Sequence, residues 1–286
     1  LGGLVSAQLV EIFSWRSVFI FGGVLPLALI PILLWLLPES LPFLVSRNNE
    51  ADRRRALGYL RKITNEMQIE IEDSANFVLP DKENSRGKVS NLFSDQRALA
   101  TVMLWGIFFT NLLMFYFLIM WLPAVLVEAG LPINLAILTA VLLNAGSIIG
   151  GVTLGRLVDM KGPFKVLTLN YIMAGIFAVS IGSAAETLGL VASLVFCAGF
   201  CVGGGQLVAN GLAASFYPPE IRSTGIGWAL GFGRMGAIIG PIIGGFLVSL
   251  EFNTQQLFIA VAIPGFLAST AVFFMGRSPS GQNMSS

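Results

Sequence analysis

The chain has 286 residues, no His, two Cys and a formal net charge of +1. Charged residues make up 12%, about half the ~25% usual in soluble domains, while apolar residues reach 55% and the mean hydropathy is +0.79. This excludes a disordered chain, a disulfide scaffold and a binder of nucleic acid through a basic surface, and two Cys without any His argue against a His or Cys zinc site. A soluble fold must cover itself with polar groups, so the solvent that suits this composition is a lipid bilayer.

A spanning helix needs ~20 apolar residues. Leu1–Val10 reads as the tail of such a helix. The apolar tract is already under way at Leu1, with neither an initiator Met nor a basic leader before it, so the chain reads as starting inside a helix. Ser17–Leu37 is a complete span. Pro38–Arg97 is polar, with ten basic and ten acidic residues. Within it, Ala51, Leu57, Leu60 and Ile63 are spaced for a surface helix over Glu50–Ile63, with a solvated linker as the alternative. Six further spans follow: Ala98–Val125, Ile133–Leu157, Phe164–Ala185, Leu188–Asn210, Thr224–Leu250 and Gln256–Met275. These segments are apolar all round, unlike the one-sided helices of a soluble bundle. The domains expected are the last two helices of a first bundle (1–37), an inter-bundle loop (38–97), a six-helix bundle (98–276) and a tail (277–286).

Cations orient the spans. Numbering the connections alternately puts fifteen of the seventeen Lys and Arg on one side, Arg16 on the other and Arg234 within a span. By the positive-inside rule the long loop and the C-terminus face the cytoplasm. A weak repeat relates Gly2-Gly3, Phe13, Phe19 and Pro26 to Gly244-Gly245, Phe252, Phe258 and Pro264. It implies a matching first bundle of six helices, four of them before Leu1, and repeated bundles are a transporter design.

Polar groups at mid-membrane depth are expensive and therefore informative. Arg234 is about ten residues, ~15 Å, into its span. Glu128, Glu186 and Glu251 lie at the outer boundary, so its anion is either an acid outside this sequence or the cargo. A guanidinium fork suits a carboxylate. Asn111 shares a helix face with Phe108 and Phe115, an amide with two rings that suits a planar aromatic cargo, whereas Tyr116 points elsewhere. Asn144 sits beside Ser147 and Gly151, as a cargo contact or interhelical glue. Gly199, Gly203, Gln206 and Asn210 form one stripe, for tight packing or an aqueous path. Gly236, Gly240 and Gly244 have small-xxx-small spacing, and Pro241 permits a kink. In the connection Gly155–Lys165, Asp159 is expected to follow a helix end, Gly162 to supply a positive φ, and the basic residues there and at Arg222 to form a conformation-dependent latch.

That connection, Gly155-Arg-Leu-Val-Asp159-Met-Lys161-Gly162-Pro-Phe-Lys165, resembles the loop signature of the major facilitator superfamily, with Met160 where a basic residue commonly follows the Asp. Trp35-Leu-Leu-Pro38-Glu39-Ser40 resembles the end of that superfamily's sixth helix. The tract from Gly199 through Asn210, Tyr217-Pro218, Ile221-Arg222, Thr224-Gly225, Gly227-Trp228, Gly233-Arg234-Met-Gly236, Gly240-Pro241 and Gly244-Gly245 is similar to the bacterial aromatic acid:proton symporter family, as is Trp121-Leu122-Pro123.

The resemblance implies an all-α membrane protein with a major facilitator fold, here in part, in a bacterial inner membrane. It implies proton-coupled uptake of aromatic carboxylates by alternating access, without enzymatic chemistry or a cofactor. The partners expected are a small organic anion, protons and the lipid bilayer, with no nucleic acid, and the chain is read as a monomer. The family's proton-coupling Asp residues belong to a first helix this sequence does not contain. The competing readings are a facilitator for sugars, other organic anions or drugs, and a transporter-like membrane sensor.

Overall fold

The computed structural model describes residues 9, 12–36, 54–60, 89–184 and 188–282. They belong to two compact units, residues 1–83 and 84–286. The helix tail expected over Leu1–Val10 falls almost wholly outside the described residues, as does the end of the Trp35–Ser40 motif.

In the first unit, α1 spans Trp15–Leu36 with Pro26 and Pro31 inside it. The Ser17 hydroxyl reaches the carbonyls of Ser14 at 2.6 Å and Leu9 at 3.0 Å, which fixes its entry. Its side chains are apolar and exposed from Phe19 to Leu36. Of the surface helix expected over 50–63, residues 54–60 are helical, with Ala56 and Leu57 buried.

The second unit opens with a 3-10 turn, Val89–Leu92. Six long helices follow: α2 Ala98–Glu128, α3 Ile133–Lys161, α4 Pro163–Ser183, α5 Leu188–Phe216, α6 Arg222–Ser249 and α7 Thr254–Arg277. A short turn, α8, covers Pro279–Gln282. Among the described residues, seven helices, α1–α7, are long and apolar enough to cross a membrane. Successive helices alternate direction, so one end of the bundle collects Lys161, Lys165, Arg222 and Arg277. We call this the basic end. Glu128 and Glu251 mark the other.

Most helices outrun the apolar segments that announce them. α3 continues four residues past Leu157 to Lys161 because only Gly162, at φ +82°, stops it. Pro163 then starts α4 at a position where its missing N–H costs nothing. Asp159 therefore lies inside the last turn of α3. The expectation that it follows the helix end is corrected: hydropathy marks where oil ends, while the hydrogen-bond ladder runs on to the next residue that breaks it. At the start of α7, Asn253 and Gln256 cap each other's backbone N–H groups at 2.9 and 3.0 Å.

With no water to serve them, hydroxyls inside the helices bond back to carbonyls. Thr110 donates to Gly106 O at 2.7 Å and Ser147 to Leu143 O at 2.8 Å. Others tie helices together. Asn170 Nδ2 donates to Cys201 O at 2.8 Å and the Ser269 hydroxyl to Thr168 O at 3.0 Å.

Glycine sets the closest approaches. A Cβ on Gly236 or Gly240 would overlap the backbone carbonyls of Phe109 and Leu113, so α6 crosses α2 backbone to backbone. α3 and α5 meet in the same way, Gly146 and Gly150 against Phe196 and Phe200, and Gly199 against Leu143. Two buried clusters fill the bundle. One surrounds Phe117, Leu118, Ile181 and Phe258. The other, towards the basic end, surrounds Leu104, Phe108, Tyr171 and Tyr217. Phe93 packs edge-on against Trp105, which stacks on Phe232 at 4.5 Å and on Trp228 at 5.7 Å, joining the entry turn to α2 and α6.

Candidate functional site

Two polar groupings flank one face of α2. At one edge Arg234 Nη1 donates to Tyr116 Oη at 3.2 Å. Both residues sit mid-helix, Arg234 about 18 Å along α6 from Arg222 and Tyr116 a similar distance from Glu128. Arg234 is exposed and Tyr116 half-buried. Among the described residues, no carboxylate lies within ion-pair distance of Arg234. At the other edge Asn111 Nδ2 donates to Gln206 Oε1 at 2.6 Å, and Gln206 Nε2 donates to Asn210 Oδ1 at 3.1 Å. Asn111 is only 2% exposed and its Oδ1 accepts nothing from a described residue, whereas Gln206 and Asn210 are half-buried.

At 100° per residue Asn111 and Tyr116 point ~140° apart around α2, with Phe115 and Ile119 between them. Those two are half-buried, and the Phe115 ring meets Tyr116 edge-on at 5.9 Å. The face therefore carries a guanidinium and phenol, a ring, and a chain of amides, in that order. Such a face can take a carboxylate on the fork, an aromatic ring beside Phe115 and a hydroxyl at the amides.

The face of α6 that carries Arg234 is distinctive. Residues within ~60° of it around the helix include Gly227, Gly231, Pro241 and Gly245, together with the exposed Leu230 and Ile238. Four more bulky exposed side chains, Trp228, Met235, Ile242 and Phe246, lie further round. The guanidinium thus stands among glycines and two aliphatic side chains, beside a sector that suits lipid.

The other sequence-derived candidates separate. Phe108 is fully buried against Gly233 of α6, inside the core. Asn144 is exposed, its amide spent on Ala140 O of its own helix at 2.8 Å. The glycine stripe of α5 splits: Gly199 and Gly203 pack on Leu143 and Ser147 of α3, while Gln206 and Asn210 join the amide chain. Tyr116 is the residue that single-helix reasoning set aside, because its partner is on another helix. Only Arg234, a mid-span cation seeking an acceptor of any kind, signalled it.

At the basic end, Asp159 and Gly155 line a pocket of about 440 Å³ between α3 and α5, with Gly151, Gly211 and Ser215 on its walls. Asp159 makes no ion pair with a described residue. Lys165 is exposed on the first turn of α4, and Arg222 Nε donates to Tyr217 O at 3.2 Å. Burial pushes the Tyr217 phenol above its ordinary value; nearby Thr101, Trp105 and the Arg97 charge offset part of that, and it stays protonated at neutral pH. Among the described residues, no group of three Cys, Asp or Glu side chains is placed to hold a metal ion.

Comparison with known proteins agrees with this architecture. The family model described as Major Facilitator Superfamily matches residues 1–205 and 172–284. The chain is 36% identical over 277 residues to the 4-hydroxybenzoate transporter PcaK of Pseudomonas aeruginosa, covering 96% of this chain and 61% of that protein. It is 36% identical over 279 residues to the gallate transporter of Pseudomonas putida, covering 97% and 61%. It is 34% identical over 265 residues to the 3-(3-hydroxy-phenyl)propionate transporter of Escherichia coli, covering 92% and 56%. The chain thus spans about six-tenths of the length of these relatives. With six apolar helices of alternating direction in one bundle and a family model matched along nearly its whole length, the chain belongs to the Major Facilitator Superfamily.

Proposed function

We propose that the whole gene product imports aromatic carboxylates by alternating access, coupled to protons, with its C-terminus in the cytoplasm. The observation that carries this reading is Arg234, a mid-helix cation held by a phenol and by no acid among the described residues. A guanidinium at that depth is costly, and a carboxylate cargo relieves the cost with two parallel hydrogen bonds. Phe115 is the ring contact, and the half-buried amides of Gln206 and Asn210, held in place by Asn111, read ring hydroxyls. The named cargoes of the three relatives each combine an aromatic ring, a carboxylate and a hydroxyl. Cation bias along the sequence supports the orientation, with the basic end inside.

The test is uptake of labelled 4-hydroxybenzoate by proteoliposomes holding the whole gene product. An inward proton gradient is expected to drive accumulation, and the uncharged 4-hydroxybenzamide is expected not to compete. Equal competition by the amide would remove the carboxylate from the recognition.

We read the Gly155–Lys165 connection as the gate. Asp159 is free of described ion-pair partners in this state, and a latch needs a partner in another. Asp159→Ala is expected to lower the maximal rate about tenfold with little change in the half-saturating concentration. A rise in the latter at an unchanged rate would place Asp159 in binding instead.

A further inference from the structure

Two grooves run from the basic end along either side of α4, apart from the face that holds Arg234. The first, about 830 Å³, lies between α3, α4 and α5; Leu169, Met173, Phe177, Phe196 and Phe200 give it an apolar wall. The second, about 790 Å³, lies between α4 and α7, walled by Phe164, Ile172 and Phe273. Each falls in the ~300–1,000 Å³ range of sites that enclose a small organic ligand. Leu169 lines both and, being largely exposed, stands as the ridge between them.

The grooves share their mouth. Lys161 and Lys165 line both, and Arg277 lines the second, its guanidinium resting 4.0 Å over the Phe273 ring. No acidic residue is among the described residues lining either groove. None of the three cations forms an ion pair with a described residue. Asp159, two residues from Lys161, lines the separate pocket between α3 and α5. The N-terminus of α4 opens at the same mouth without a side-chain cap, so its dipole adds to the positive potential.

Depth decides what fits. From Lys165 to Phe177 the first groove follows α4 for about 18 Å. One leaflet of a ~30 Å hydrocarbon core is ~15 Å deep. A slot that is charged at its mouth, apolar below and one leaflet deep has the section of a lipid. A soluble peptide would leave that apolar wall unmatched, and a free phosphate would leave it empty.

We infer that Lys161, Lys165 and Arg277 bind the headgroup of an anionic glycerophospholipid whose two acyl chains straddle Leu169, one in each groove. Zwitterionic lipids carry a phosphate too, but their own cation competes with the protein's three. Each basic side chain facing an anionic headgroup contributes roughly fivefold in affinity, so three contribute about 100-fold. The inference is independent of the cargo and needs only that the bundle sit in a membrane.

The experiment is native mass spectrometry of the delipidated whole gene product in mild detergent. It is titrated with dioleoyl-phosphatidylglycerol or dioleoyl-phosphatidylcholine. Phosphatidylglycerol is expected to bind at least tenfold tighter. The triple variant Lys161→Gln, Lys165→Gln, Arg277→Gln is expected to bring the two lipids to parity. Should that variant misfold, each single substitution is expected to cost about fivefold. Arg156→Gln, which removes an exposed cation on the last turns of α3 that lines neither groove, is expected to keep the full preference. Equal binding of the two lipids by the unaltered protein, a preference that survives the triple substitution, or displacement by millimolar inorganic phosphate alone would each overturn the inference.

Discussion

Arg234→Ala is expected to reduce uptake of an aromatic carboxylate by at least about 100-fold while leaving the amount of folded protein in the membrane unchanged. The guanidinium offers two charge-assisted hydrogen bonds, each worth about 1.5–3 kcal/mol, and ~3 kcal/mol is already more than a hundredfold. Arg234→Lys keeps the charge but loses the planar fork, so it should restore only part of the activity. Tyr116→Phe removes the phenol that holds the guanidinium at 3.2 Å. A neutral hydrogen bond contributes about 1 kcal/mol, so roughly a fivefold loss is expected. Transport at the unaltered rate by Arg234→Ala, in protein that elutes as a single folded species, would show that the carboxylate is held elsewhere.

Gly236→Leu is expected to prevent or severely weaken assembly of the bundle. Even one added carbon at this position meets the backbone carbonyl of Phe109, which has no rotamer to yield. Overpacking costs about 1–3 kcal/mol where side chains can adjust, and more is expected where only backbone can move. Gly231→Leu is the matched control. It lies on the same helix, exposed, with nothing within 4 Å of its Cβ position. Its thermal unfolding midpoint in detergent should stay within a few degrees of the parent, while Gly236→Leu should fall far below or yield no folded protein. Because Gly231 lies one turn before Arg234 on the same side of α6, a Leu there would crowd the guanidinium, and its variant should nevertheless transport poorly. Stability and activity therefore separate on one helix.

The helices were legible in the sequence because a bilayer needs long apolar runs, and six such runs follow the polar stretch. Their ends were less so. Nothing in the hydropathy of Gly155–Lys161 distinguishes a polar loop from a polar last turn, and Gly162 alone settles it. Arg234 was legible as a site because charge at mid-depth has few uses. Its partner was not, since Tyr116 and Arg234 are 118 residues apart and no periodicity links them. Phe108 shows the complementary limit. It shares a helical face with Asn111 and Phe115, as spacing requires, but whether that part of the face meets a neighbour depends on where α6 crosses. The crossing point is set by Gly233 and Gly236, and a single helix cannot reveal it.

Gly162 is at once the last residue of α3's cap and the first of α4's, so one residue separates the two helices. Consecutive Cα atoms are 3.8 Å apart, so Lys161 and Pro163 are joined by two steps, about 7 Å at most, and a joint that short leaves little slack. α3 and α4 cannot ratchet past one another by a helical turn, which would need ~5.4 Å. They can only swing about the joint like the arms of a compass, carrying Asp159 on one arm and Lys165 on the other through opposite arcs.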